Sequence, residues 1–172
     1  LGKKAGIATY LLDAFKAVIA DILIHFLIVP HTAIPEMLLF LYCGLGIVLG
    51  HNFPFYLKFK GGKGIAASSG VVISLMLFPK HCFMFTVFGI VFFALVARIS
   101  RYVSLASLIG MAMFFVEFLI WGFLGWLPLN GTDLVEGTVI VFALAALAFI
   151  RHRSNIVRLV QGTERKIGEK KN

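Results

Sequence analysis

Hydrophobic positions in this chain run in long blocks instead of alternating, and six blocks stand out: 5–29, 34–50, 64–79, 81–97, 105–126 and 134–150. Most approach the ~20 residues that a ~30 Å hydrocarbon layer asks of a helix, with 34–50, 64–79, 81–97 and 134–150 at the short limit. They carry Gly, Ser and Phe without strand-like alternation, so helices are the economical way to satisfy their backbone polar groups in lipid. The pattern predicts an all-α, polytopic integral membrane helix bundle with six spans. It forms one domain over 1–172 whose polar end, 151–172, leaves the membrane and frays beyond Gly162.

Composition supports lipid as the solvent, since 60% of the 172 residues are hydrophobic and only 14% are charged. The charge has a direction: 14 of the 16 Lys and Arg lie before the first block, after the second and fourth, or in the tail from Arg151 to Lys171. The opposite connections, 30–34, 79–80 and 127–133, hold only Lys80, and Lys16 lies inside the first block. Cytoplasmic loops keep such charge during insertion, so both ends are expected in the cytoplasm. The net charge of +8 is then a topology signal, and no soluble basic domain exists to bind nucleic acid. Cys43 and Cys82 have no metal-ligand spacing and are read as packing residues. His25, His31 and His81 fall on the far side as interfacial residues.

Three polar segments, 51–69, 98–107 and 151–158, arrive at the charged face. In the first, Gly61, Gly62 and Gly64 permit close backbone approach while Lys60 and Lys63 supply charge. The helix starting near Gly64 adds its unpaired N–H groups and positive dipole end, so an anion is the natural occupant. His51 and Pro54 end the preceding block; Ser68 and Ser69, one turn inside, serve either as donors to that anion or as small residues at a helix contact. In the second segment Ser104 and Ser107 share a helix face beside Arg98 and Arg101, cations that either anchor lipid headgroups or face a substrate. The third spaces His152, Asn155 and Arg158 by three, and a helix leaving the membrane aims His152 and Asn155 the same way. Inside the first block Asp13, Lys16 and Asp21 are costly in lipid and are expected to face protein or a wet cleft and to pair with one another.

Taken together, G-H-N-F-P-F-Y-L-K-F-K-G-G-K-G-I-A at 50–66, R-Y-V-S-L-A-S at 101–107 and R-H-R-S-N-I-x-R-L-x-x-G at 151–162 closely resemble the bacterial acyl-phosphate-dependent glycerol-3-phosphate acyltransferases, the PlsY family. L-G-K-K-A-G at 1–6, followed by Asp13 and Lys16, is similar to that family's second helix. The resemblance implies a seven-helix enzyme of the bacterial inner membrane, active at the cytoplasmic face, that moves an acyl group from acyl phosphate to the 1-hydroxyl of glycerol 3-phosphate. The products are lysophosphatidic acid and phosphate. No metal, cofactor or acyl-CoA is implied, and a soluble enzyme that makes acyl phosphate from acyl carrier protein is the implied functional partner.

On this chain the family's phosphate-binding lysine falls on Lys63, amid Gly61, Gly62 and Gly64, and its later polar positions fall on Ser107, His152 and Asn155, the four expected catalytic residues being Lys63, Ser107, His152 and Asn155. His51, Lys60, Arg101, Ser104 and Arg158 are expected to bind substrate or phosphate. His152 is a candidate general base, in competition with the departing phosphate itself. The family pattern opens with one more helix and a G-S-G-N-x-G-A-T-N loop without counterpart here, so this chain is expected to be a fragment or to assemble its pocket incompletely. Ala17 stands where glycine is usual, and Ser154 where an acidic residue is common. The alternative from another class is a small transporter of anionic or phosphorylated solutes, which a basic vestibule would also suit.

Overall fold

The computed structural model describes residues 2–78 and 81–169, and every regular element among them is helical. Leu1, Pro79, Lys80 and 170–172 lie outside the described residues, and with them Lys80, Lys170 and Lys171 of the charge count. Six main helices follow the six blocks: α1 (Gly2–Leu27), α2 (Glu36–Asn52), α3 (Ile65–Ser74), α4 (Phe83–Ser100), α5 (Val103–Phe123) and α6 (Gly131–Arg151). A short α7 (Arg153–Val160) follows α6.

Among the described residues, four runs are long and apolar enough to cross a membrane: Glu36–Leu57, Phe83–Ser100, Val103–Phe123 and Gly131–Arg151. Charge keeps α1 from joining them by composition, although its 26 residues reach about 39 Å. The third block falls short of a full span. Its ten α-helical residues and the 3₁₀ turn Leu75–Leu77 reach only about 20 Å, and Phe78 is already extended. The residue before a proline is steered out of the helical region, and Pro79 follows Phe78 in sequence.

Packing turns the usual inside-out rule around. Ile7, Leu12, Ile19, Leu23 and Phe26 of α1 are all exposed, presenting an apolar outer face suited to lipid. The interior is built where α3 meets α1 and α2, α2 meets α6, and α5 meets α4 and α6. Phe40, Leu41, Val71, Phe118 and Val141 are fully buried there. Helices α1 and α3 touch backbone to backbone at Gly70, where a Cβ atom would fall 2.1 Å from the Ala14 carbonyl oxygen. Small residues at such crossings let membrane helices associate by close packing.

Asp21 does not join the Asp13–Lys16 pair. It is fully buried and accepts a 2.5 Å hydrogen bond from Ser74 Oγ on α3. Eight residues separate Asp13 from Asp21, more than two helical turns, so the two carboxylates reach different depths along α1.

The tail also departs from expectation, because it does not fray at Gly162. The Ile167 amide donates to the Arg101 carbonyl oxygen at 2.7 Å, and the Arg101 guanidinium returns a 2.9 Å bond to the Ile167 carbonyl. Residues 163–167 thereby fold back across the charged end of the bundle.

Candidate active site

Three breaks in helical structure bring the polar segments to one end of the bundle. The first is the loop between α2 and α3. It turns through left-handed Lys58 and Phe59 and ends at Gly64, whose φ of +82° suits glycine and starts α3 without a side-chain cap. The second lies between α4 and α5, where Arg101 is left-handed at φ 63°. The third is at His152, which interrupts the helix between α6 and α7 with φ −96° and ψ 8°.

Between these breaks lies a cavity of about 850 Å³. His51, Lys63, Gly64, Ser104, Ser107, His152 and Asn155 all line it. Lys60, Gly61, Gly62, Arg101 and Arg158 are not among its lining residues. Lys60 is exposed on the loop, Arg101 is committed to the tail, and Arg158 binds Glu164. Ser69 reaches the wall, bonded to the Tyr10 hydroxyl at 2.9 Å, whereas buried Ser68 does not.

The lysine at the mouth is precisely oriented by a chain of hydrogen bonds. Lys63 Nζ donates to Asn155 Oδ1 at 2.6 Å, and Asn155 Nδ2 donates to Glu164 Oε1 at 2.7 Å. Because a carboxylate only accepts, Glu164 fixes which way the Asn155 amide points. Burial lowers the Lys63 pKa, a shift opposed by Glu164 and reinforced by Arg158. Ser104 Oγ and Arg158 Nε also donate to Glu164, each at 2.7 Å. Burial pushes the Glu164 carboxyl upward, but the bonds from Asn155, Ser104 and Arg158 prevail and hold it below the ordinary glutamate range.

His152 is 3% exposed, and its Nδ1 lies 2.8 Å from the Ala148 carbonyl oxygen. A carbonyl only accepts, so Nδ1 carries the proton and Nε2 is left as the basic nitrogen. Burial lowers the His152 pKa, helped by the Lys63 charge and opposed by the Ala148 bond and Glu164. The net effect favours the neutral ring. Ser107 Oγ donates to the Val103 carbonyl at 2.9 Å, which leaves its lone pairs toward the cavity it lines.

Two further groups shape the glycine loop. Arg151, at the end of α6, donates to the Gly61 carbonyl at 2.9 Å and to the Gly62 carbonyl at 2.9 and 3.1 Å, with its guanidinium over the Phe53 ring. Holding both carbonyls fixes the peptide planes of the loop. On the other side His51 packs so tightly on Gly62 that a Cβ there would lie 2.1 Å from its Nε2. His51 is in turn held by α1: Lys16 Nζ sits 2.9 Å from His51 Nδ1 and 2.8 Å from Asp13 Oδ1.

Sequence reasoning missed Arg151 and Glu164. Arg151 sat among tail cations that topology already explained, and Glu164 lay in a segment expected to fray. Among the described residues, no three His, Cys, Asp or Glu side chains gather where a metal ion is held.

Comparison with known proteins shows the family of the chain. A family model described as glycerol-3-phosphate acyltransferase matches residues 1–162. A glycerol-3-phosphate acyltransferase of Thermoanaerobacter sp. (strain X514) is 37% identical over 170 residues, covering 99% of this chain and 74% of its own. One from Streptococcus pneumoniae (strain Taiwan19F-14) is 38% identical over 167 residues, covering 95% and 70%. Among solved structures, PlsY (YgiH), described as an integral membrane glycerol 3-phosphate acyltransferase, matches in its glycerol 3-phosphate form with TM-score 0.78 and 29% identity, over 98% of this chain and 74% of that one. Its lysophosphatidic acid form matches with TM-score 0.76.

Proposed function

Since this chain belongs to the glycerol-3-phosphate acyltransferase family, a multi-pass membrane family, we propose that it draws its acyl group from acyl phosphate at the cytoplasmic face of the bacterial inner membrane. Glycerol 3-phosphate is the acceptor and lysophosphatidic acid the product, the first acylation of phospholipid synthesis. The donor would come from a soluble enzyme that converts acyl carrier protein thioesters to acyl phosphate. The cytoplasmic assignment rests on the cation asymmetry.

One observation carries the reading: Lys63, Ser107, His152 and Asn155, from three distant segments, line a single cavity whose deeper wall is apolar. A substrate with an anionic head and a greasy tail fits that division. In our mechanism Lys63 and the N–H groups at the start of α3 hold phosphate, with the glycine loop kept in shape by Arg151. Ser107 and Asn155 orient the two substrates so that the 1-hydroxyl oxygen approaches the acyl carbonyl carbon. His152 Nε2 takes the hydroxyl proton as the new ester C–O bond forms. The anhydride C–O bond then breaks, and phosphate leaves with its electron pair. Ser104, committed to Glu164, and His51, committed to Lys16 and Asp13, act by positioning. Lys60, Arg101 and Arg158 attract anions to the mouth.

The test supplies purified protein in lipid with synthetic acyl phosphate and glycerol 3-phosphate, and follows released inorganic phosphate beside an acyl-CoA control. Release that requires both substrates, with no transfer from acyl-CoA, is the expected outcome. Transfer from acyl-CoA alone overturns the donor assignment. Lys63→Ala is expected to lower kcat/KM about 100-fold, the scale for losing one well-placed charge-stabilising donor. Wild-type turnover in that variant removes Lys63 from the site.

A further inference from the structure

Below its polar mouth the cavity continues as an apolar groove, and each wall helix contributes a stripe at helical spacing. On α5 the stripe runs Ser104, Ser107, Gly110, Phe114, so hydroxyls give way to a bare backbone and then to a ring. On α4 the order along the same direction is Phe93, Gly89, Phe85. The two phenyl rings at the deep end meet edge to face, with centroids 5.4 Å apart, and Phe85 also packs 4.1 Å from the Trp121 ring. Phe85 is 1% exposed and Phe114 4%, so this block is anchored in the core.

The glycines above it differ from those buried at helix contacts, and unlike the equally open Gly6, Gly46 and Gly50 they line the cavity. Gly70 and Gly44 are needed because a neighbouring helix would strike any side chain, with Cβ contacts of 2.1 and 2.6 Å. At Gly89 and Gly110 a Cβ would meet nothing within 4 Å. Packing therefore does not require glycine at either position, and both line the cavity. What their missing side chains preserve is the width of the groove itself.

Resting on the reading of this cavity as the seat of the acyl donor, we propose that Gly89 and Gly110 determine the acyl-chain length the enzyme accepts, by holding open a groove that ends at Phe85 and Phe114. Ten residues of α5 separate Ser104 from Phe114, about 15 Å of helix. An extended carbon chain advances about 1.2 Å per bond, as three-bond backbone repeats of ~3.3–3.6 Å show, so about twelve carbons lie straight in the groove. Longer chains turn outward past Ile90, which is 64% exposed on the lipid side of the same wall.

Each methylene kept out of an apolar site costs roughly a fourfold loss of affinity. Leucine at either position fills the space of about four methylenes, and alanine that of about one.

The experiment measures kcat/KM for octanoyl and hexadecanoyl phosphate in wild type and in Gly89→Ala, Gly89→Leu, Gly110→Ala and Gly110→Leu. The hexadecanoyl-to-octanoyl ratio is expected to fall roughly fourfold in the alanine variants and roughly 250-fold in the leucine variants. An unchanged ratio in all four overturns the proposal. If a leucine variant loses every donor alike through misfolding, the alanine pair decides by the same ratio. Failure of the underlying reading looks different: wild type then turns over neither donor, whatever its length.

Discussion

Glu164 offers the sharpest test of how the site is held together, because one carboxylate collects three donors from two separate helices, α5 and α7. Its side chain is 8% exposed. Oε1 accepts from Ser104 and Asn155 and Oε2 from Arg158, all at 2.7 Å. Hydrogen bonds to a charged group contribute about 1.5–3 kcal/mol each, and the Arg158 pair counts for less than about 1 kcal/mol because the Arg158 side chain is 43% exposed. In Glu164→Gln one amide oxygen can still accept from Ser104 and Asn155, but as neutral bonds of about 1 kcal/mol each, and its NH₂ confronts the Arg158 donor. The net loss is about 2–3 kcal/mol. It falls on the latch formed by residues 163–167, so the Ile167 amide is expected to exchange with solvent roughly 30- to 150-fold faster. The pH dependence has a definite sign. The folded-state pKa of Glu164 is depressed, so its contribution is complete above the unfolded value of about 4.3 and disappears as pH falls through the lower folded value. Hydrogen exchange at pH 7 should separate the two proteins, and the difference should narrow as pH falls below the ordinary glutamate value. Equal protection at pH 7, or a gap that does not narrow with falling pH, refutes the latch.

Two more predictions follow from the same geometry. Arg151→Lys removes the paired bonds to the Gly61 and Gly62 carbonyls, since an ammonium cannot reproduce the planar fork; KM for glycerol 3-phosphate is expected to rise about tenfold to thirtyfold with helical content unchanged by circular dichroism, and an unaltered KM dismisses the loop clamp. For His152, whose pKa burial lowers, kcat is expected to rise through an acid limb lying below the ordinary histidine value of about 6.5, and His152→Gln should abolish that limb; a limb retained in the variant assigns the proton to the departing phosphate instead.

Much of this was legible in the chain because lipid makes the rules strict. Six apolar blocks gave six helices in order, since no other economical structure satisfies the backbone there. The glycine loop was legible for a different reason: topology asks for cations after a span but not for Gly61, Gly62 and Gly64 crowded around one of them. Arg151 was hidden by the same logic in reverse, because a cation at the end of a span already has a sufficient reason to be there. Asp21 was misjudged because charge suggested an ionic partner, whereas depth along α1 put it opposite the Ser74 hydroxyl of α3. The shortness of α3 depended on where Phe78 turns extended, a local backbone matter that hydropathy does not register.

The position of the site at a membrane boundary can be argued one step further. A phosphate needs fixed N–H groups and cations, and those are cheap only where helices end; an acyl chain needs an unbroken apolar wall, and that is cheap only where helices continue. Helix α5 meets both needs in one stripe. Ser104 and Ser107 lie in its first two turns, beside the breaks at Arg101 and His152, and Gly110 and Phe114 follow deeper on the same face. The register of that face thus couples head and tail: moving either glycine's position around the helix by one residue, about 100°, would aim the groove away from Ser107, which in the proposed mechanism orients the reacting end. In that mechanism the carbonyl carbon sits where the two regions join, so the spacing proposed to recognise the substrate would also set the point of attack.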